Sequence, residues 1–191
     1  MLCGGWSEAA VVCSTCHRSL ARWEGGEGAV AAFEYRFPVD RLVQRFKFAG
    51  DLAAGRWLAL QLSERVAGQP RPDLLVAPPL TPARLVARGF NQALEIGKVV
   101  ARRHGLHCAL SGIERTRETP PQHGLGRRAR RRNLKDAFRC DLRLEGMRVA
   151  VVDDVFTTGA TVESLARSLR RSGAADVVVW TVARTPAPGR A

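Results

Sequence analysis

A chain of 191 residues, 46% hydrophobic and 25% charged, is long enough to bury one full core and too apolar to be disordered throughout. No run of 18 apolar residues occurs and the first residues lack a basic stretch followed by an apolar one, so neither membrane insertion nor an export signal is expected. The formal charge is +12, and lysine occurs only at Lys47, Lys98 and Lys135, so nearly all of the cationic residues are arginine. That sign suggests phosphate-bearing partners, although arginine beside abundant alanine and glycine is also the imprint of a GC-rich coding sequence. Five cysteines, an odd number in a chain without an export signal, predict reduced thiols and a cytoplasmic location.

Residues 1–28 are rich in Cys, Gly and Trp and show no long apolar period. They read as a small knuckle, followed by one α/β domain over 29–191. Cys13-x-x-Cys16 has the spacing of a zinc knuckle, whose thiolates replace a missing core, and Cys3 is a candidate third ligand. Tetrahedral structural zinc takes four ligands. His17 sits directly beside Cys16, an awkward place for shared chelation. The alternative is a set of reduced, partly buried thiols.

Residues 29–37 hold a β-compatible run. Pro38 then opens a helix with Leu42, Val43 and Phe46 on one face, ended by Gly50. Asp51 is placed to cap a second helix, Leu52–Val66. Residues 73–77 read as a short buried strand, and Pro78, Pro79 and Pro82 stiffen the loop after it. One helix is expected over Ala83–His104, stopped by Gly105. A strand is expected within 106–114 and another over Arg148–Val152, with a helix over Val162–Ser172. A last strand follows over Val177–Val182, then a frayed tail from Pro186. Strands alternating with helices argue for a parallel sheet with right-handed crossovers.

The chemistry concentrates in Val149–Thr161. An apolar strand carries Asp153 and Asp154 at its carboxyl end, where open α/β sheets place ligands. Two adjacent carboxylates repel, so they call for a cation or several donors. A ribose offers two vicinal hydroxyls, and Mg²⁺ carried on a pyrophosphate would offset the remaining charge. Thr157, Thr158, Gly159, Ala160 and Thr161 then form a tight turn of small and hydroxylated residues at a helix N-terminus, which suits a phosphate. Strand, acid pair, loop and helix together match a sugar 5-phosphate. The bland alternative is an ordinary strand-to-helix junction with two surface aspartates.

The segment Val151–Thr161 resembles the phosphoribosyl-pyrophosphate (PRPP) signature of the type I phosphoribosyltransferases. Lys47-Phe48-Ala49-Gly50-Asp51, Pro79-Leu80 with Arg84, Arg88-Gly89-Phe90-Asn91-Gln92, and Arg130-Arg131-Arg132-Asn133 with Ala137-Phe138 narrow the resemblance to the ComF family of competence-associated proteins. The likeness runs over about residues 3–184. It implies a Rossmann-like parallel sheet of the type I phosphoribosyltransferase fold with an N-terminal zinc knuckle. It also implies a role linked to DNA uptake, with PRPP and Mg²⁺ as ligands, Zn²⁺ in the knuckle, and DNA-uptake proteins as partners. By carry-over, Asp153 and Asp154 would hold the ribose hydroxyls, and Thr157 to Thr161 the 5-phosphate. Pro79, Arg84 and Arg88 would lie near the pyrophosphate, with Lys47 a weaker candidate there. The family's first cysteine pair is also C-x-x-C, and its first member would fall just before Met1. Either the natural start lies upstream, or a fourth ligand comes from elsewhere, or the site is lost.

The segment 115–133 carries seven arginines, among them Arg115, Arg127, Arg128, Arg130, Arg131 and Arg132, with Glu118 the lone acid. Such a loop can clamp phosphate and close over a substrate, or track single-stranded DNA through its phosphates. It can also be a solvated basic helix start. Phe90 reads as packing, and Asn91 and Gln92 as groups that pair with polar ligand atoms.

Overall fold

A computed structural model describes residues 11–25, 28–116 and 137–186. Cys3, Arg127, Arg128, Arg130, Arg131, Arg132 and the end of the tail lie outside the described residues.

A short helix α1 (Ser14–Arg18) opens the described chain, followed by β1 (Val30–Glu34), α2 (Val39–Phe48), α3 (Leu52–Val66) and β2 (Leu74–Val76). Next come α4 (Pro82–Arg88), α5 (Gln92–His104), β3 (His107–Cys108) and β4 (Ile113–Arg115). The remainder is β5 (Phe138–Cys140), β6 (Arg148–Phe156), α6 (Ala160–Arg171) and β7 (Asp176–Arg184). Five strands form a parallel sheet in the order β1-β7-β6-β2-β3, while β4 and β5 make a separate antiparallel pair. The expected parallel α/β architecture is present.

Alternation along β6 distributes the core. Ala150 and Val152 face one layer, where they meet Leu42 and Phe46 of α2, Leu58 and Leu62 of α3, and Ile96 and Val100 of α5. Val149 and Val151 face the other, with Leu165 and Leu169 of α6 and Phe138 of β5. Val12 and Cys16 of the N-terminal segment are buried in the first of these clusters.

Capping explains most helix ends. Asp51 accepts a hydrogen bond from Ala54 N–H at 2.9 Å and starts α3, as its position in the sequence suggests. Gly105, at φ 60°, ends α5 in the left-handed conformation.

Four expectations need correction. The single helix over Ala83–His104 is two helices. Gly89 takes φ 76° and terminates α4, and Asn91 restarts the chain by accepting from Leu94 N–H. A left-handed residue followed by a capping side chain interrupts a helix even where apolar spacing continues through it. The strand in 106–114 is two: β3 joins the main sheet, and β4 turns away to pair with β5. β6 runs on past Val152 to Phe156, because β7 continues beside it and pairs Asp153 with Thr181 and Phe156 with Arg184. Finally, α6 begins at Ala160 rather than Val162, since Gly159 at φ 75° turns the chain early.

Gly55 marks the tightest approach between α2 and α3. A methyl group there would overlap the ring of Phe46, which is itself only 1% exposed. Gly55→Ala is therefore expected to destabilise the protein by about 1–3 kcal/mol despite the better helix propensity of alanine. Chemical denaturation checks this.

Candidate functional site

The sheet reverses its winding between β2 and β6. From β2 the chain crosses by way of α5 to β3, on one side. From β6 it crosses by way of α6 to β7, on the other and over the opposite face. Loops leaving two such strands diverge, and a crevice opens beyond their carboxyl ends. A cavity of about 340 Å³ occupies that place. Lys47, Pro79, Arg84, Arg88, Arg115, Asp153, Asp154, Thr157 and Thr161 all line it, together with Tyr35, Asn91 and Gln92.

Each side chain reaches the cavity for a structural reason. Asp153 and Asp154 are neighbours on an extended strand, so they leave opposite faces of it. Asp154 falls on the face covered by α2, and there Lys47 Nζ meets its Oδ2 at 2.6 Å. Both groups are largely buried, with side-chain exposures of 20% and 10%. Lys47, the weaker candidate in sequence, is the direct counter-ion of the acid pair. Its helix face points across the end of the sheet rather than into solvent, which sequence periodicity alone does not decide.

Asp153 opens partly to the cavity and is crowded elsewhere. Its Oδ1 accepts the backbone N–H of Asp154 at 2.8 Å. Burial, and then the neighbouring Asp154 carboxylate, push its carboxyl from the ordinary 3.8 up to about 8, against the opposing pull of Lys47.

The opposite wall is cationic. α4 has no buried residue and stands at the rim, with Arg84 in its first turn and Arg88 in its last. Arg88 Nη1 donates to Gln92 Oε1 at 2.8 Å, and its guanidinium lies 5.5 Å from the ring centre of Phe48. Arg115 enters from β4. Burial, and then the positive charge of Arg84, lower its pKa. Four cations therefore border a space that holds two carboxylates among its described lining residues.

Asn91 and Gln92 are less available to a ligand than their sequence suggests. Asn91 Nδ2 donates to Pro78 carbonyl at 3.0 Å while its oxygen caps α5, which ties the proline loop to the helix. Gln92 is 1% exposed and divides its amide between Arg88 and the Phe90 carbonyl. Phe90 packs on Phe46 with ring centres 5.2 Å apart, as expected of a packing residue.

The turn after β6 is split. Thr157 and Thr161 face the main cavity, whereas Thr158 and Gly159 border a second one on the other flank. Ala160 is buried at the first position of α6. Tyr35 has no motif around it. It lies just after β1, and its N–H donates to the Arg184 carbonyl at 2.7 Å. The only available signal is its place at the carboxyl end of a parallel strand.

In the N-terminal segment, Cys13 caps α1 and its sulfur accepts from Cys16 N–H at 3.4 Å. Among the described residues, no group of three or more His, Cys, Asp and Glu side chains is disposed to hold a metal ion. No described helix is long and apolar enough to cross a membrane.

A carboxyl whose pKa is raised on folding adds stability below its unfolded pKa, and that stability is lost as pH rises towards the folded value. For Asp153 the window runs from about 3.8 to about 8. Asp153→Asn is therefore expected to be more stable than the wild type at pH 8. The difference should vanish near pH 4. Melting curves across that range check both the sign and the window.

No family model matches the chain. The DNA utilization protein YhgH of Salmonella typhi is 40% identical over 178 residues, which span 89% of this chain and 78% of that protein. Competence protein F of Haemophilus influenzae is 32% identical over 181 residues, covering 90% and 78%. Among solved structures, the adenine phosphoribosyltransferase of Leishmania tarentolae is similar over 81% of this chain and 77% of its own, at 14% identity and a TM-score of 0.45, a level that says nothing about ligand or chemistry. Identity of this extent to YhgH and competence protein F, over most of both chains, shows that the protein belongs to their family, the ComF family.

Proposed function

We propose that the cavity binds PRPP with Mg²⁺, and that the protein serves DNA uptake or utilization through a phosphoribosyl ligand. The carrying observation is the charge layout. One cavity sets an acid pair and a hydroxylated turn on one side against Arg84, Arg88 and Arg115 on the other, with Lys47 on the acids. A ribose needs acceptors for its hydroxyls and a pyrophosphate needs cations, and a cavity of about 340 Å³ is the size for one small molecule. The name of the YhgH relative, a DNA utilization protein, supports the link to DNA, and that of competence protein F the link to competence.

On this reading Asp153 and Asp154 accept hydrogen bonds from the two ribose hydroxyls. The turn from Thr157 to Thr161 receives the 5-phosphate at the start of α6, where free N–H groups and the helix dipole favour an anion. Pro79 and its loop, with Arg84 and Arg88, stand beside the pyrophosphate. The carboxylates and the pyrophosphate are hard oxygen donors that suit Mg²⁺, which would offset charge on the leaving group. In a transfer reaction the bond from ribose C1 to the pyrophosphate oxygen breaks, its electrons leave with the pyrophosphate, and an acceptor nitrogen bonds to C1. The cations beside the leaving group and the acids beneath the ribose would stabilise that charge separation.

A second reading, a binding module for nucleotides or single-stranded DNA, has its own support. Phe48 is 74% exposed with the guanidinium of the cavity-lining Arg88 over its ring, an arrangement on which a base can stack.

Calorimetric titration of PRPP with Mg²⁺ is expected to show saturable binding, weakened at least about tenfold in Asp153→Asn/Asp154→Asn, the loss of roughly one charge-assisted hydrogen bond. A folded wild type that takes no PRPP, yet binds single-stranded DNA with steep salt dependence, would favour the second reading. Release of pyrophosphate in the presence of a nitrogen acceptor would favour transfer.

A further inference from the structure

The turn from Thr157 to Thr161 is short of support from its own sequence, because small residues make few contacts. Its support comes from a stack of groups drawn from distant parts of the chain. Gly159 rests against the ring of Phe156, so closely that a Cβ there would stand 2.8 Å from Phe156 Cζ. The guanidinium of Arg184, at the end of β7, lies 5.0 Å from the centre of that same ring. The same guanidinium lies over the ring of Trp23, 4.9 Å from its centre. Trp23 belongs to the N-terminal segment and is fixed at its backbone: its N–H donates to the Ala32 carbonyl at 3.2 Å, and its carbonyl accepts from Arg65 Nη2 at 3.2 Å.

The backbone around Arg184 reinforces the stack. Arg184 pairs in register with Phe156 on β6 and Glu34 on β1. Its carbonyl accepts from Tyr35 N–H, and the next residue, Thr185, donates to the Phe156 carbonyl at 3.0 Å. A cation held between two aromatic faces is attracted to both, and more strongly where water is excluded. It also fixes the separation of the two rings.

We propose that Trp23 and Arg184 are positioning residues for the turn at 157–161: they clamp Phe156 beneath Gly159 and so hold the turn in the shape that receives a phosphate. Neither residue touches the proposed ligand. The part that concerns phosphate rests on the reading of the cavity given above, while the part that concerns the turn does not. One consequence is that the cysteine-bearing N-terminal segment, through Trp23, sets how well ordered the turn is.

The test uses the full chain with Trp23→Leu, the conservative Trp23→Phe, and Arg184→Met as a second way to empty the stack. Amide hydrogen exchange over 157–161 is expected to speed up about tenfold in Trp23→Leu and Arg184→Met, in line with the loss of one or two cation–π contacts. Exchange over 79–92, on the far wall, is expected to stay unchanged, and Trp23→Phe to remain near the wild type. Titration with ribose 5-phosphate is expected to weaken about 5- to 10-fold in the same two variants, while inorganic pyrophosphate changes less than about twofold. Unchanged exchange over 157–161 in both variants overturns the proposal, and so does equal acceleration over 79–92, which would mean general loosening. A wild type that takes no ribose 5-phosphate would remove the sugar-phosphate reading, and the exchange measurement would still decide the positioning role.

Discussion

Two carboxylates side by side at the end of a buried strand are a cost that the rest of the structure is arranged to meet. Asp153 and Asp154 cannot both ionise cheaply in a partly dry cavity. One answer is internal: Lys47 reaches across from α2 and pairs with Asp154. The other is protonation, since burial and the neighbouring charge hold the Asp153 carboxyl well above the usual carboxylate range. A fold selected only for stability would not keep this pair. On the proposed function, a ligand bringing hydroxyl donors and positive charge would complete it.

The topology serves the same end. Because β6 stands at the point where the winding reverses, its carboxyl end faces a gap between diverging loops rather than another strand's connection. The proline loop after β2 forms the opposite wall, and Asn91 locks that loop to α5 through Pro78. Arg84 and Arg88 ride on a helix that buries nothing and owes its place to its caps, Thr81 before it and Gly89 after it. Cations and acids are thus brought within one small cavity from segments far apart in sequence, and Arg115 joins them from the antiparallel pair.

Much of this was legible from residue order. The apolar run, acid pair and small-residue turn mark strand, site and helix start by chemistry that is local. The cap at Asp51 and the stop at Gly105 were legible for the same reason. What was not legible depends on tertiary neighbours. β6 continues through two aspartates because β7 is there to pair with them, although isolated aspartates are poor strand formers. The break at Gly89 in the helix expected over 83–104 was hidden because the apolar spacing runs straight across it. Lys47 looked solvated because nothing in α2 itself says which way that face of the helix points. Asn91 and Gln92 looked like ligand contacts because their amides suit a ligand, yet the structure uses those amides to fix Pro78 and Arg88.

On the proposed function, the ligand completes the charge balance that Lys47 and a proton on Asp153 hold without it. Calorimetric titration of PRPP with Mg²⁺ at pH 7, repeated in buffers of different ionisation enthalpy, measures it directly. Protons are expected to be released on binding as Asp153 ionises against the ribose hydroxyls, with no such release in Asp153→Asn. Binding with no proton release, or with proton uptake, would contradict it.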